Sequence, residues 1–239
     1  MSDAPPSSTT AVLFFSHRPE REWSNKQFVP RDRAKSRRVA GTLYRHTRSA
    51  VAESGFPWIA ATDDRQRGTG FGERLTNALT EAFAEGYERV IIVGSDCPRL
   101  HEVDWQHVDD RLAAGHPVLG PTPSRDGSYL IGLTREQFDA GAFAALPWQT
   151  PHLFGALAAH LADRAEASPV LLQPRADVNG LADLLRLLRT GRAHLPHDLT
   201  TRLRRVLGAH VAAEFTSGRH RRSSTRRIRS RGPPRLVDA

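Results

Sequence analysis

Two hydrophobic periods alternate along this chain. Short apolar runs of strand length stand at residues 11–15, 57–61, 90–93, 118–120, 129–133 and 170–172. Between them, positions recur at helical spacing: Val39, Leu43, His46, Ala50 and Val51 before Gly55, and Leu75, Leu79, Ala82 and Phe83 before Gly86. Glycine stops a helix readily because it takes positive φ without strain. Further helices are predicted over 104–114, at Leu153, Phe154, Leu157 and Leu161, over 181–188, and at Leu199, Leu203, Val206, Leu207 and Val211. Strands alternating with helices in this way predict an α/β fold, a three-layer α/β/α sandwich around a mostly parallel sheet. No internal repeat is present.

Composition narrows the organisation. With 239 residues, 39% of them hydrophobic, the chain can bury the core of one large domain, predicted over 11–216. No run reaches the apolar length of a membrane span. Residues 1–10 are polar, are predicted disordered, and lack the basic-then-apolar order of a secretory signal. The single Cys97 allows no internal disulfide. A cytoplasmic location is the expectation. The net charge of +8 is carried almost wholly by the C-terminus: from Gly218 onward eight Arg oppose Asp238, giving +7 and leaving about +1 for the rest. Arginine interleaved with Ser, Thr, Gly and Pro cannot offset the entropy of ordering, so 217–239 is predicted disordered. Such a tail suits nonspecific contact with polyanions such as RNA or acidic membrane, and a solubilising appendage is the favoured reading of the two.

Candidate chemistry collects where the apolar runs end. Val90-Ile91-Ile92-Val93 runs into Gly94-Ser95-Asp96-Cys97-Pro98, setting a carboxylate at the end of a buried strand, where open α/β sheets bind ligands. Asp96 also suits a turn or a cap. The loop 18–26 after the first strand brings Lys26, whose ammonium suits phosphate, among Arg21, Arg31 and Arg33. Residues 66–74 contain Gly68, Gly70 and Gly72 between Gln66 and Arg74, just before a helix N-terminus; the Walker spacing is absent. Asp126-Gly127 signals a turn beside Ser128 and Tyr129. Asp177 and Asn179 offer hard oxygens suited to Mg²⁺ or Mn²⁺, although Asn179 ahead of Leu181 also suits helix capping. An α/β-hydrolase is excluded by the lack of Gly-x-Ser-x-Gly, and Cys97 suits packing better than nucleophilic attack.

Six segments in order, Gln66-Arg67-Gly68 with Phe71-Gly72-Glu73-Arg74-Leu75, then 94–100, 118–121, 126–133, 147–151 and 177–179, resemble the DUF2064 family. These bacterial transferases are associated with radical-SAM and arsenosugar-type gene neighbourhoods and are similar in fold to GT-A nucleotide-diphospho-sugar transferases. The resemblance implies a metal-dependent transferase using a nucleotide-activated donor and an unidentified acceptor. Glycosyl transfer from an NDP-sugar leads. Nucleotidyl transfer from an NTP and a catalytically silent nucleotide- or RNA-binding protein are the alternatives. It assigns catalysis to Asp96 and Asp126, Mg²⁺ or Mn²⁺ to Asp96, Asp177 and Asn179, the nucleotide to Lys26, Gln66, Gly68, Gly72 and Arg74, and the acceptor to Gly127, Tyr129, Trp148 and Thr150. The chain departs from the family pattern around Lys26, which lacks a preceding Gly and a following Thr-Arg-Leu. Ser128 and Asn179 stand where Gly and Asp are frequent.

Overall fold

The computed structural model describes residues 9–26, 28–165, 167–190 and 194–208. The expected disordered segments at 1–8 and 217–239, and Val211 of the last predicted helix, lie outside these residues. The first strand opens at Thr10, within the segment expected to be disordered.

Strands β1 (Thr10–Ser16), β2 (Trp58–Thr62), β3 (Arg89–Val93), β4 (Val118–Pro121), β5 (Ser128–Thr134) and β6 (Val170–Leu171) form one sheet in the order β2-β1-β3-β5-β4-β6. The β1–β2, β1–β3 and β4–β6 pairs are parallel; β5 runs against both β3 and β4. The parallel strands read as continuous apolar runs because helices cover both faces. Leu13, Phe15, Val90 and Ile92 face a core completed by helices α3 (Phe71–Ala84), α5 (Ala140–Ala144) and α6 (Leu153–Ala165). Val12, Phe14, Ile91 and Val93 face the opposite one, with α2 (Arg33–Ala52) and α4 (Trp105–Ala113). Period-two alternation therefore splits each strand between two cores. Helices α7 (Leu181–Thr190) and α8 (His197–Leu207) bury their leucines against the outer side of α2, with Phe28 and Val29. The α/β/α sandwich and mostly parallel sheet are as predicted.

Two elements differ from expectation. The segment after β1, expected to be loop, contains helix α1 (Pro19–Asn25). Pro19 presets φ at its first turn, Glu20 and Glu22 complement the N-terminal dipole, and Glu22 pairs one turn on with Lys26 at 3.3 Å. Helix α5 also escaped the pattern, being five residues long and capped by Asp139, which accepts from the Ala142 backbone N–H at 2.9 Å.

Candidate active site

The chain leaves β1 through α2 to reach β2 on one side, and leaves β2 through α3 to reach β3 on the other, the two helices covering opposite faces. A topological switch point therefore lies between the carboxyl ends of β1 and β3, the place where doubly wound sheets open a crevice. Because β4 and β6 run parallel to β3, the β4–β5 turn and the segment following β6 emerge at the same edge. A cleft of about 760 Å³ opens there, within the usual size of a small-molecule site.

Lys26, Gln66, Arg74, Asp96, Asp126, Gly127, Tyr129, Trp148, Thr150, Asp177 and Asn179 all line this cleft; Gly68 and Gly72 do not. The missing side chains of those two glycines serve packing. A Cβ on Gly72 would lie 2.4 Å from Trp148 Cδ1 and 2.6 Å from the Ala144 carbonyl, and one on Gly68, at φ +124, would meet Glu73 at 2.8 Å. Glu73 accepts from the Thr69 backbone N–H and hydroxyl, each at 2.8 Å. A carboxylate of the chain itself thus accepts hydrogen bonds just ahead of this helix N-terminus. The anticipated Asn179 cap is replaced in a similar way: Asp183 reaches back to accept the Asn179 backbone N–H at 3.1 Å.

At the centre, Lys26 Nζ stands 2.8 Å from Asp96 Oδ2 and 3.3 Å from Glu22 Oε1. Burial opposes the Lys26 charge, but Asp96 and then Glu22 outweigh it and hold its pKa above the ordinary range. Burial likewise opposes the Asp96 carboxylate, and the Lys26 ammonium overcomes it, so the Asp96 pKa falls. Asp177 goes the other way. Burial first, and the Asp96 charge next, push its carboxyl well above the usual range, and its Oδ1 is buried with no hydrogen-bond partner. Its segment is nevertheless fixed: Val178 N–H donates to the Asp96 carbonyl at 2.8 Å, and the guanidinium of Arg175 donates to Glu102 Oε2 at 3.3 Å and to the Glu102 carbonyl at 2.8 Å.

The flanks are equally ordered. Gln66 Nε2 donates to the carbonyls of Ser16 and Ala61 at 3.1 and 3.0 Å, so it fastens β1 to β2. Asp126 accepts from the Thr122 hydroxyl at 2.6 Å, and this bond, then one from Ser124, lowers its pKa. Phe15, Phe71 and Trp148 supply an aromatic wall, with Trp148 Nε1 donating to the Phe143 carbonyl at 2.8 Å.

A divalent cation fits these side chains in one respect that can be checked. Asp177 carries a buried oxygen without a partner beside the negative Asp96, a strain that a shared cation would relieve. Among the described residues no cluster of three His, Cys, Asp or Glu closes around an ion. Two carboxylates and the Asn179 amide would leave positions for phosphate oxygens, as Mg²⁺ sites commonly do.

Sequence pattern did not single out His17, Asp63, Glu22 or Ser95. His17 lines the cleft, and its Nδ1 lies 3.0 Å from Asp63 Oδ1. The available signal was that the runs ending at Phe15 and Ala61 are each followed within two residues by a titratable side chain.

Residues 43–150 match the model of DUF2064, an uncharacterized protein family conserved in bacteria. That segment includes Asp96 and the 122–127 turn; Lys26, Asp177 and Asn179 fall beyond it. No curated protein matches the chain. Among solved structures, the fold is similar to that of a candidate nucleotide-diphospho-sugar transferase from Desulfovibrio desulfuricans G20, at 21% identity and a TM-score of 0.60, covering 86% of this chain and 98% of that one. Rv0371c from Mycobacterium tuberculosis H37Rv matches at 18% identity and a TM-score of 0.43, over 76% of this chain and 97% of its own.

Proposed function

We propose that this chain, a DUF2064 protein over residues 43–150, is a metal-dependent transferase that takes a sugar from a nucleotide-diphosphate donor. The observation that carries this reading is the meeting of Asp96, Lys26 and the unpartnered Asp177 oxygen at the switch point of the sheet. A nucleotide diphosphate brings negative charge into a cleft that already holds Glu22, Asp96, Asp126 and Asp177 against Lys26 and Arg74. Such a ligand needs further positive charge. Asp96, Asp177 and Asn179 would hold Mg²⁺ or Mn²⁺, and bound there the ion would supply Lewis-acid charge to the diphosphate. The fold's likeness to the candidate transferase supports the donor class.

The residues then divide by position. Lys26, held by Asp96 and Glu22 at the end of α1, presents a fixed ammonium to the charge developing on the leaving diphosphate. Gln66 and Arg74 border the nucleotide side, and Gly127, Tyr129, Trp148 and Thr150 the acceptor side. The Asp126 carboxylate is committed to Thr122 and shapes the turn that faces the acceptor.

Incubating the protein with Mn²⁺ and a panel of NDP-sugars and NTPs tests the reading. Release of free NDP is expected; pyrophosphate instead would reassign the chemistry to nucleotidyl transfer. Asp96→Asn is expected to abolish metal-dependent nucleotide binding. Nucleotide affinity that is identical with Mn²⁺ and with EDTA would remove the metal from the mechanism.

A further inference from the structure

We propose that His17 is the proton acceptor for the attacking hydroxyl of the acceptor substrate, held for that task by Asp63. The inference rests on the transferase reading above and adds the general base.

The geometry begins behind the imidazole. Asp63 accepts on both oxygens: from His17 Nδ1 at 3.0 Å through Oδ1, and from the Arg18 backbone N–H at 3.2 Å through Oδ2. A carboxylate only accepts, so Nδ1 is the nitrogen that carries hydrogen, and in the neutral imidazole Nε2 keeps its lone pair. Nε2 has no partner among the described residues. The Asp63 side chain is 7% exposed and that of His17 25%, which sets the carboxylate behind and the imidazole on the cleft wall. Asp63 holds this position at φ +33, a left-handed backbone that costs energy for any residue but glycine and is least costly for Asp and Asn.

His17 and Asp96 line the same cleft. The hydroxyls of Ser16 and Ser95, the residues preceding them, lie 2.7 Å apart, so the two residues follow the ends of adjacent parallel strands. The other carboxyl groups of the cleft are occupied. Glu22 and Asp96 are paired with Lys26, Asp126 is bound to Thr122, and Asp177 belongs with Asp96 and Asn179 to the proposed ion site.

The step balances without a further reactant. The acceptor oxygen forms its bond to the anomeric carbon as its proton passes to His17 Nε2. The bond from that carbon to the diphosphate breaks, its electron pair leaving on the NDP, and the imidazolium afterwards returns its proton to water.

The test uses the full-length chain with Mn²⁺ and whichever NDP-sugar of the panel the wild type turns over, with water as acceptor and NDP release as readout. His17→Asn and Asp63→Asn are expected to lower kcat at least about 100-fold with KM for the donor unchanged within about twofold. The Asp63→Asn amide can donate to Nδ1, placing hydrogen on Nε2 while keeping the backbone that Asp63 adopts. Free imidazole is expected to restore part of the rate of His17→Ala. A purely structural tie between β1 and β2 would lower Tm in these variants and leave kcat in place. Unchanged kcat in both Asn variants, or no rescue by imidazole, overturns the proposal while the transferase reading stands. A wild-type chain that turns over no donor overturns both.

Discussion

Single atoms decide how Asp96 is presented. Its Oδ1 folds over Gly94, where an added Cβ would lie 2.9 Å away. Gly94→Ala is therefore expected to displace the carboxylate from Lys26, to lower stability by about 1–3 kcal/mol, and to weaken Mn²⁺ binding in a titration of the purified protein. Next to it, Cys97 is 1% exposed, and burial, followed by the Asp177 charge, pushes its thiol well above the ordinary range. Iodoacetamide should leave it unmodified in the folded chain and alkylate it in guanidinium; rapid native labelling would contradict the burial. His46 reaches the same turn, with its Nε2 2.8 Å from the Pro98 carbonyl. Burial lowers its pKa below the ordinary 6.5, with the neighbouring His101 also lowering it and Pro98, Asp198 and Glu53 opposing. A depressed histidine takes its proton more readily in the unfolded chain. Its contribution to stability is present above about pH 6.5 and is lost as pH falls through the folded value. Thermal melts at pH 7.5 and pH 5.5 should show the decline, and His46→Gln should reduce it.

At the level of elements, Arg175 holds a segment that has no regular structure of its own. Residues 172–179 carry Asp177 and Asn179 without a helix or strand. The Arg175 side chain, 8% exposed, ties them to Glu102 in the 3₁₀ turn that follows the Asp96 loop, and its guanidinium lies over the Tyr129 ring, 5.7 Å from the centroid. Arg175→Met should cost about 1.5–3 kcal/mol through the lost charged hydrogen bonds, and should loosen amide exchange at 176–180 before that of β3. Exchange that rises uniformly across the sheet would mean a global role instead. The same scale separates what the sequence disclosed from what it did not. Helices α2, α3, α6 and α7 were readable because each turns one apolar stripe to a core. Helix α1 was not, since the signals that favour it, Pro19, two glutamates and the Glu22–Lys26 pair, carry no apolar period. The glycines at 68 and 72 suggested a phosphate loop because absence of a side chain is the same signal whether a ligand or Trp148 comes close.

For the whole molecule, the carboxylate at the end of β3 was legible as a site because strand ends and turn residues are local features. His17 was not, since its partner Asp63 lies 46 residues away and the two meet only through the pairing of β1 with β2. The antiparallel course of β5 likewise follows from strand order, which periodicity does not encode. Charge is the property best read from sequence at this scale, and it separates two kinds of binding. Residues 1–217 carry about +1 and the segment from Gly218 carries +7, so capture of a small ligand by the cleft and contact with a polyanion should respond to salt very differently. If the eight terminal arginines neutralise phosphates of a single-stranded RNA, log K against log salt should fall with a slope approaching about −5. Truncation after Thr216 should abolish that slope together with the shift of the oligonucleotide in a gel, while nucleotide binding with Mn²⁺ persists, because the leucines of α8 that pack against α2 end at Leu207. An oligonucleotide shift that survives truncation would relocate the polyanion contact to the folded body. Absence of any shift from the full-length chain at 50 mM salt would leave the tail without an RNA partner.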